Sequence, residues 1–340
     1  MRLAVLDVGS TSVNLLVSDG GTDMLAADTW KRRTMLAETL RPDGTIVAEG
    51  LRRIVTAVAD AGNEISRIGA ELLCAYATAA VRDAPNREAV LDAVELTTGI
   101  RLGTLSGVED AELTFLAARR WMGWQAGPML LLDIGGGTLE VAFGPDRLPE
   151  SAMSLPLGAG RLTRQFLGDG DPPPRRAVAE LHRHVRREVR RITAHADWDA
   201  TRTAVATSSV LRQLARLTGA APLRHGPFVE RELRRAALRP WIERFAAMPS
   251  AHRARHPGVS KHRARQSLAG AIVAYELMRG LGIDRVRVCP WGLREGVLLR
   301  RLETDQREPA LAPWVRWLPT SLAAPTLTDG RRNGSAAGRR

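Results

Sequence analysis

Cysteine is almost absent: Cys74 and Cys289 are the only two in 340 residues, and both fall in strand-like apolar settings. Two thiols cannot build a disulfide framework, and with no partners at ligand spacing they form no zinc motif, so a reducing, cytoplasmic setting is expected. Aromatic residues make up only 4% of the chain, and no apolar run approaches the roughly 20 residues that a membrane-crossing helix needs. The start of the chain shows no apolar leader with a small-residue cleavage site, because Met1-Arg2 runs straight into a first strand. What is present, 44% hydrophobic and 25% charged residues, describes a water-soluble globular chain with room for about two domains.

Charge is unevenly placed. The formal net charge is +12, yet residues 172–265 hold 21 of the 49 basic residues and only 7 of the 37 acidic ones, leaving the rest about neutral. All seven histidines lie in the same window. Two readings stand: a cationic surface that attracts a polyanion, or a set of solvated helix faces. The window has little aromatic interleaving and no zinc-finger or RNA-binding motif, so a phosphate polymer without bases fits better than nucleic acid.

One pattern is written twice. Asp7-Val8-Gly9-Ser10-Thr11-Ser12 sits between the apolar runs 3–6 and 13–17, and Asp133-Ile134-Gly135-Gly136-Gly137-Thr138 sits between 129–132 and 139–143. Each reads as strand, tight turn, strand. Glycine lets the backbone approach a ligand, a hydroxyl adds a donor, and an aspartate ending a buried strand suits a hydrated cation. A plain hairpin that needs glycine at positive φ is the alternative. Downstream, Ala75-Tyr76-Ala77-Thr78-Ala79-Ala80-Val81-Arg82 is matched by Ala204-Val205-Ala206-Thr207-Ser208-Ser209-Val210-Leu211-Arg212. The two aspartates are 126 residues apart and the two threonines 129, and an offset shared by separate signatures indicates a duplicated domain.

Apolar spacing predicts strands at 2–7, 13–19, 71–77, 129–133, 139–143, 202–206 and 285–289. It predicts helices at 49–67, 86–98, 109–121, 175–193, 209–218, 230–247, 263–281 and 292–302. The expected architecture is α/β, with domains at 1–125 and 126–303. Beyond residue 303 the periodicity fades and 304–340 is expected to be a disordered tail.

Adding Ala77-Thr78-Ala79-Ala80-Val81-Arg82-Asp83, Ser106-Gly107-Val108-Glu109-Asp110 and Leu293-Arg294-Glu295-Gly296 to the two turns, the chain resembles the exopolyphosphatase and guanosine pentaphosphate phosphohydrolase family over roughly residues 1–303. It is most similar to the short actinobacterial members. The resemblance implies two duplicated actin-like (RNase H-like) ATPase-type domains, each a five-stranded mixed sheet with helices, around a central interdomain cleft. It implies a phosphohydrolase that releases terminal orthophosphate from inorganic polyphosphate, short chains in particular, using Mg²⁺ or Mn²⁺. Guanosine pentaphosphate is the alternative substrate. A symmetric homodimer is implied as well, and no membrane partner. Longer members carry an additional C-terminal helical domain, for which this chain leaves no room.

Carried over residue by residue, Asp7, Asp133 and Glu140 would hold the metal. Gly9, Ser10, Thr11 and Ser12, with Gly135, Gly136, Gly137 and Thr138, would wrap the terminal phosphoryl group. Arg82 and Arg263 would neutralise it, with an ion pair to Asp83 or Glu88 as the other reading of Arg82. Glu109 and Asp110 are the candidates for orienting the attacking water, while the same stretch also reads as a helix entry with favourable N-terminal acids. The chain departs from the family here: aspartate replaces the second of two glutamates, and Glu112 stands where arginine is usual. Those departures leave a non-catalytic sensor of polyphosphate or guanosine polyphosphates as a further reading, and the turns alone would also suit a sugar kinase or an ATPase.

Overall fold

The computed structural model describes residues 1–20, 28–193, 202–303 and 315–318. The two halves of the chain form sheets of the same order and polarity. In the first, β1 (Leu3–Val8), β2 (Ser12–Ser18) and β3 (Asp28–Arg33) make an antiparallel meander. There β4 (Leu72–Ala77) runs parallel to β1, and β5 (Gly103–Thr104) parallel to β4. In the second, β6 (Met129–Ile134), β7 (Leu139–Gly144) and β8 (Ser151–Leu155) repeat the meander, and β9 (Thr203–Ala206) lies parallel to β6. Outside β9, β10 (Glu232–Arg234) pairs with β11 (Arg285–Val288), which is parallel to β9. The duplication expected from the shared offset is therefore present in the hydrogen bonding.

Strands β1 and β4 are buried on both faces, as continuous apolar runs require. The seven expected strands match those observed to within about a residue, and the others escape periodicity for identifiable reasons. Strand β3 reads Asp-Thr-Trp-Lys-Arg-Arg and is largely exposed, so its backbone pairing with β2 defines it rather than an apolar face. The expected helix at 230–247 starts only at Arg235, because Leu233 turns inward between Glu232 and Arg234 with the period of a strand. In the expected tail, β12 (Val315–Trp317) pairs antiparallel with the edge of β4, so the first sheet has six strands rather than five, as the second has through β10. An open edge of β4 offers unpaired backbone groups, and pairing them overrides the weak local signal. Residues 304–314 and 319–340 of that tail lie outside the described residues.

Each sheet is covered on both faces, and the two halves exchange helices to do it. Helix Ala48–Ile68 lays Ile54, Ala57, Val58, Ala61 and Ile65 on one face of the first sheet, and Gly69, at φ 71°, ends it in the left-handed conformation that favours glycine. Helices Arg175–Thr193 and Ser267–Gly280 cover the outer face of the second sheet. The inner faces are closed crosswise. Helix Gly107–Met122, at the end of the first half, packs Ala111, Phe115 and Ala118 on the second sheet, and Leu293–Glu303, at the end of the second half, packs Val297 and Leu298 on the first.

These two helices meet each other at Gly296. A Cβ there would lie 1.9 Å from the carbonyl oxygen of Leu113, a backbone atom that cannot yield. Gly296→Ala is therefore expected to destabilise the fold by roughly 1–3 kcal/mol, or about 5 °C in thermal unfolding. An unchanged midpoint would refute the close crossing as a stability determinant.

Candidate active site

The β1–β2 and β6–β7 turns face each other across the cleft and close in the same way. Gly9 N donates to Ser12 O at 3.0 Å, and Gly135 N donates to Thr138 O at 2.8 Å. None of the turn glycines has positive φ, so the hairpin alternative does not explain them. Close approach does: a Cβ on Gly136 would lie 2.2 Å from Ser10 Oγ of the opposite lobe, and one on Gly137 3.0 Å from Ala79 Cβ.

The carbonyls of the second turn are all engaged from behind. Gly135 O accepts from Ala159 N at 3.0 Å and Gly136 O from Arg161 N at 2.9 Å. Gly137 O accepts from Arg161 Nε at 3.0 Å and from Gly158 N at 3.3 Å. A trans peptide points its N–H opposite to its C=O, so the amides of Gly136, Gly137 and Thr138 are aimed away from that segment, toward the cleft. In the first turn Ser10 O accepts from Ala37 N, and Thr11 O from Thr34 N and Met35 N, at 2.9–3.1 Å, orienting the Thr11 and Ser12 amides likewise. Converging amides of this kind form an anion-binding concavity. Gly9 and Gly135 were expected to bind phosphate as well, but their own amides are spent on closing the turns.

Between the turns is a cavity of about 230 Å³ lined by Asp7, Asp110, Asp133 and Glu140. Strand register sets Asp133 directly opposite Glu140, a like-charge pairing that costs stability, whereas Asp7 faces Asn14. Hydroxyls relieve part of that cost. Thr207 Oγ1 donates to Asp133 Oδ2, Ser154 Oγ to Glu140 Oε1 at 2.8 Å, and Thr114 Oγ1 to Asp110 Oδ1 at 3.4 Å. Burial, reinforced by Asp133 and Asp7, pushes the Asp110 carboxyl up to about 7, against the opposing pull of Arg82. Burial likewise raises Asp7 to about 6, with Arg294 opposing, and holds Glu140 well above the usual carboxylate range with Asp110 and Asp133 adding to it.

The two candidate bases separate completely. Glu109 completes the capping box of helix Gly107–Met122, whose cap is Ser106: its Oε2 accepts from Ser106 N at 2.7 Å while Glu109 N donates to Ser106 Oγ at 3.2 Å. Asp110, one residue on, lines the cavity. Arg82 is paired with Asp83 at 2.9 Å and donates to Leu105 O at 3.1 Å, so its side chain borders the cleft already engaged.

Cations line the same cavity: Lys31, Arg212, Arg263 and Arg294. Only Arg263 was anticipated as a ligand. Burial and the neighbouring Arg212 lower its guanidinium to about 10, and burial with Arg263 and Arg294 lowers the Lys31 ammonium. Arg212 carried a signal, since it follows Thr207 in the repeat as Arg82 follows Thr78, and Arg294 lies in the Leu-Arg-Glu-Gly motif. Lys31, on the polar strand β3, carried none. The basic window thus sends Arg212 and Arg263 to the cleft, while other members stitch the fold. Arg186 Nε and His182 Nδ1 contact Glu276 Oε1 at 2.9 and 2.7 Å, and Arg187 and Arg191 pair with Glu188.

The donor set suits a hard divalent cation. Asp7 Oδ1 is buried without a hydrogen-bond partner, and four carboxylates face one another with raised affinities for protons. Among the described residues no three His, Cys, Asp or Glu side chains close into a preformed ligand cage. That combination fits Mg²⁺ or Mn²⁺ more than zinc, because magnesium keeps water and phosphate oxygens as most of its shell.

Residues 17–305 match the Ppx/GppA phosphatase family, so the first turn lies just upstream of the matched stretch. The chain is 52% identical over 305 residues to an uncharacterized protein of Streptomyces coelicolor, covering 89% of this chain and 91% of that one. It is 47% identical over 315 residues to Exopolyphosphatase 1 of Mycobacterium tuberculosis, covering 92% and 91%. Among solved structures, the Aquifex aeolicus member of the Ppx/GppA family superposes with a TM-score of 0.72 at 25% identity, covering 91% and 99%. An exopolyphosphatase from Cytophaga hutchinsonii shares the fold, with a TM-score of 0.79 at 19% identity, covering 89% and 98%.

The electrostatics of the cavity predict a stability signature. Because the Asp110 proton is held more tightly in the folded state than at the ordinary value of 3.8, its stabilising contribution is complete below about pH 4 and is lost as pH rises through about 7. Asp110→Asn removes the repulsion and should raise the melting temperature at pH 8 by roughly 3–6 °C, with a smaller gain at pH 5. An equal gain at both pH values would show that the carboxylate is not electrostatically strained.

Proposed function

We propose, for a chain that belongs to the Ppx/GppA phosphatase family, that the cleft hydrolyses the terminal phosphoanhydride of inorganic polyphosphate and releases orthophosphate. The observation that carries this reading is Asp110, a carboxylate able to accept a proton near neutral pH, in the same small cavity as the outward-turned amides of both glycine turns. The name Exopolyphosphatase 1 carried by a relative 47% identical over nearly the whole chain supports the choice of polymer over guanosine pentaphosphate.

The terminal phosphoryl group seats its oxygens on the amides of Thr11, Ser12, Gly136, Gly137 and Thr138, helped by the hydroxyls of Ser10, Ser12 and Thr138. Lys31, Arg212, Arg263 and Arg294 neutralise the phosphates that follow. Asp110 orients a water and accepts its proton as the oxygen attacks phosphorus, and the P–O bond to the next phosphate breaks in line, leaving a chain shorter by one unit. Asp7, Asp133 and Glu140 would hold Mg²⁺ or Mn²⁺, which would offset charge on the phosphate oxygens. Arg82, fixed by Asp83 and Leu105 O, offsets charge at Asp110. A cavity of about 230 Å³ engages only the last few units, which favours short chains.

Among the described residues no helix is long and apolar enough to cross a membrane, and Cys74 and Cys289 are buried free thiols. Both features fit the cytoplasmic setting we assign.

Phosphate release from tripolyphosphate, long polyphosphate, guanosine pentaphosphate and ATP, with Mg²⁺ and with chelator, tests the reading. Asp110→Asn should lower kcat at least a hundredfold, while Glu109→Gln should stay within about threefold. Arg263→Gln should raise KM for tripolyphosphate about tenfold. If Glu109→Gln were the inactive variant and Asp110→Asn the active one, the base would be misassigned. Tight binding with no release by the wild type would make the protein a sensor.

A further inference from the structure

Arg161 is the only side chain that touches a carbonyl of the second turn and the opposite lobe at once among the described contacts. Its backbone N holds Gly136 O at 2.9 Å, its Nε holds Gly137 O at 3.0 Å, and its Nη2 reaches Asp83 Oδ2 of the first lobe at 2.8 Å. Asp83 Oδ1 accepts from Arg82 Nε at 2.9 Å, and Arg82 Nη1 donates to Leu105 O at 3.1 Å. Leu105 immediately precedes Ser106, the cap of the helix that carries Asp110. A path of hydrogen bonds therefore runs from the Gly137 carbonyl to the Leu105 carbonyl, crossing between the lobes midway, and the chain continues from Leu105 through the helix cap to Asp110 five residues on.

We propose that Arg161 is a positioning residue: together with Asp83 it clasps the lobes so that the Thr138 amide and Asp110 are held in register across the phosphoryl group. The inference rests on the reading of the cleft as a phosphoryl site. Its physical basis is the peptide plane between Gly137 and Thr138. Gly136 and Gly137 have no side chain to restrict their backbone, so that plane can rotate unless its carbonyl is held. The other donor to Gly137 O, Gly158 N, is longer at 3.3 Å and comes from the same lobe, so it cannot relate the turn to Asp110.

The clasp acts on geometry rather than on stability. The Arg161 and Asp83 side chains are 35% and 37% exposed, and an ion pair that open to water contributes little to folding. A displacement of about 1 Å between reacting groups, by contrast, can cost a hundredfold in rate. Arginine suits the position because its rigid planar fork sets Nε on Gly137 O and Nη2 on Asp83 Oδ2 at once, whereas a lysine ammonium is a compact charge with no such fixed fork.

The test compares Arg161→Gln, Arg161→Lys, Asp83→Asn and the Asp83→Asn/Arg161→Gln double variant. Arg161→Gln should lower kcat for tripolyphosphate by roughly 10–100-fold with KM changed less than threefold and a melting temperature within about 3 °C of wild type. Arg161→Lys should not restore kcat, and the double variant should be no slower than Arg161→Gln, because both substitutions cut one path. Wild-type kcat in Arg161→Gln, full rescue by lysine, or losses that multiply in the double variant would each overturn the clasp. A separate readout uses backbone amide NMR signals during titration with tripolyphosphate and Mg²⁺: Thr138 should respond in the wild type and lose that response in Arg161→Gln. No Thr138 response in the wild type would overturn the reading of the cleft itself, whereas a response surviving in Arg161→Gln would overturn only the clasp.

Discussion

A peptide group has two polar ends that point in opposite directions, and the cleft depends on that constraint. An anion site made of backbone needs several consecutive N–H groups turned one way, which requires acceptors' carbonyls turned the other way and satisfied there. In the second lobe residues 158–161 provide this, taking all three glycine carbonyls from behind. In the first lobe residues 34–37 do the same for Ser10 and Thr11. The glycines follow from the same requirement. They are needed where Ser10 and Ala79 approach from the opposite lobe, not for unusual dihedral angles.

Around this backbone frame the side-chain charges are segregated by type and left partly unresolved. Burial in one small space raises the proton affinity of four carboxylates, and burial, with neighbouring cations adding to it, lowers that of Lys31, Arg212 and Arg263. Each group is destabilising alone in the free protein. In the function we propose, a phosphate chain accompanied by a divalent cation would complement both at once, turning strain stored in the site into binding. The crosswise exchange of helices Gly107–Met122 and Leu293–Glu303 delivers Asp110 and Arg294 to the same cavity from opposite halves of the chain.

Much of this was legible in the residues, for definable reasons. Buried strands such as Met129–Ile134 are continuous apolar runs, and the long helices carry apolar stripes, so local pattern and tertiary burial coincide. The doubled turn exposed the duplication because both copies kept the residues that a close backbone approach demands. Pattern was silent where an element exists mainly through pairing: β3 is polar apart from Trp30, β5 is two residues long, and β12 completes the edge of β4 from within a stretch that lacks periodicity. The adjacent acids at 109 and 110 were equivalent on paper. Helix geometry separates them by about 100°, sending one to its own cap and the other into the cavity.

Sequence by itself determined the α/β class, the two matching sheets, the two glycine turns and the placing of carboxylates at 7, 133 and 140 beside them, because each depends on residue type and spacing within one local segment. Only the tertiary structure decided which acid faces the cavity, that Lys31, Arg212 and Arg294 join Arg263 there, and that Arg161 and Asp83 bind the lobes together. Those relations join segments up to a few hundred residues apart, such as Lys31 and Arg294. They arise from packing and hydrogen-bond satisfaction between the halves, which spacing along the chain does not encode.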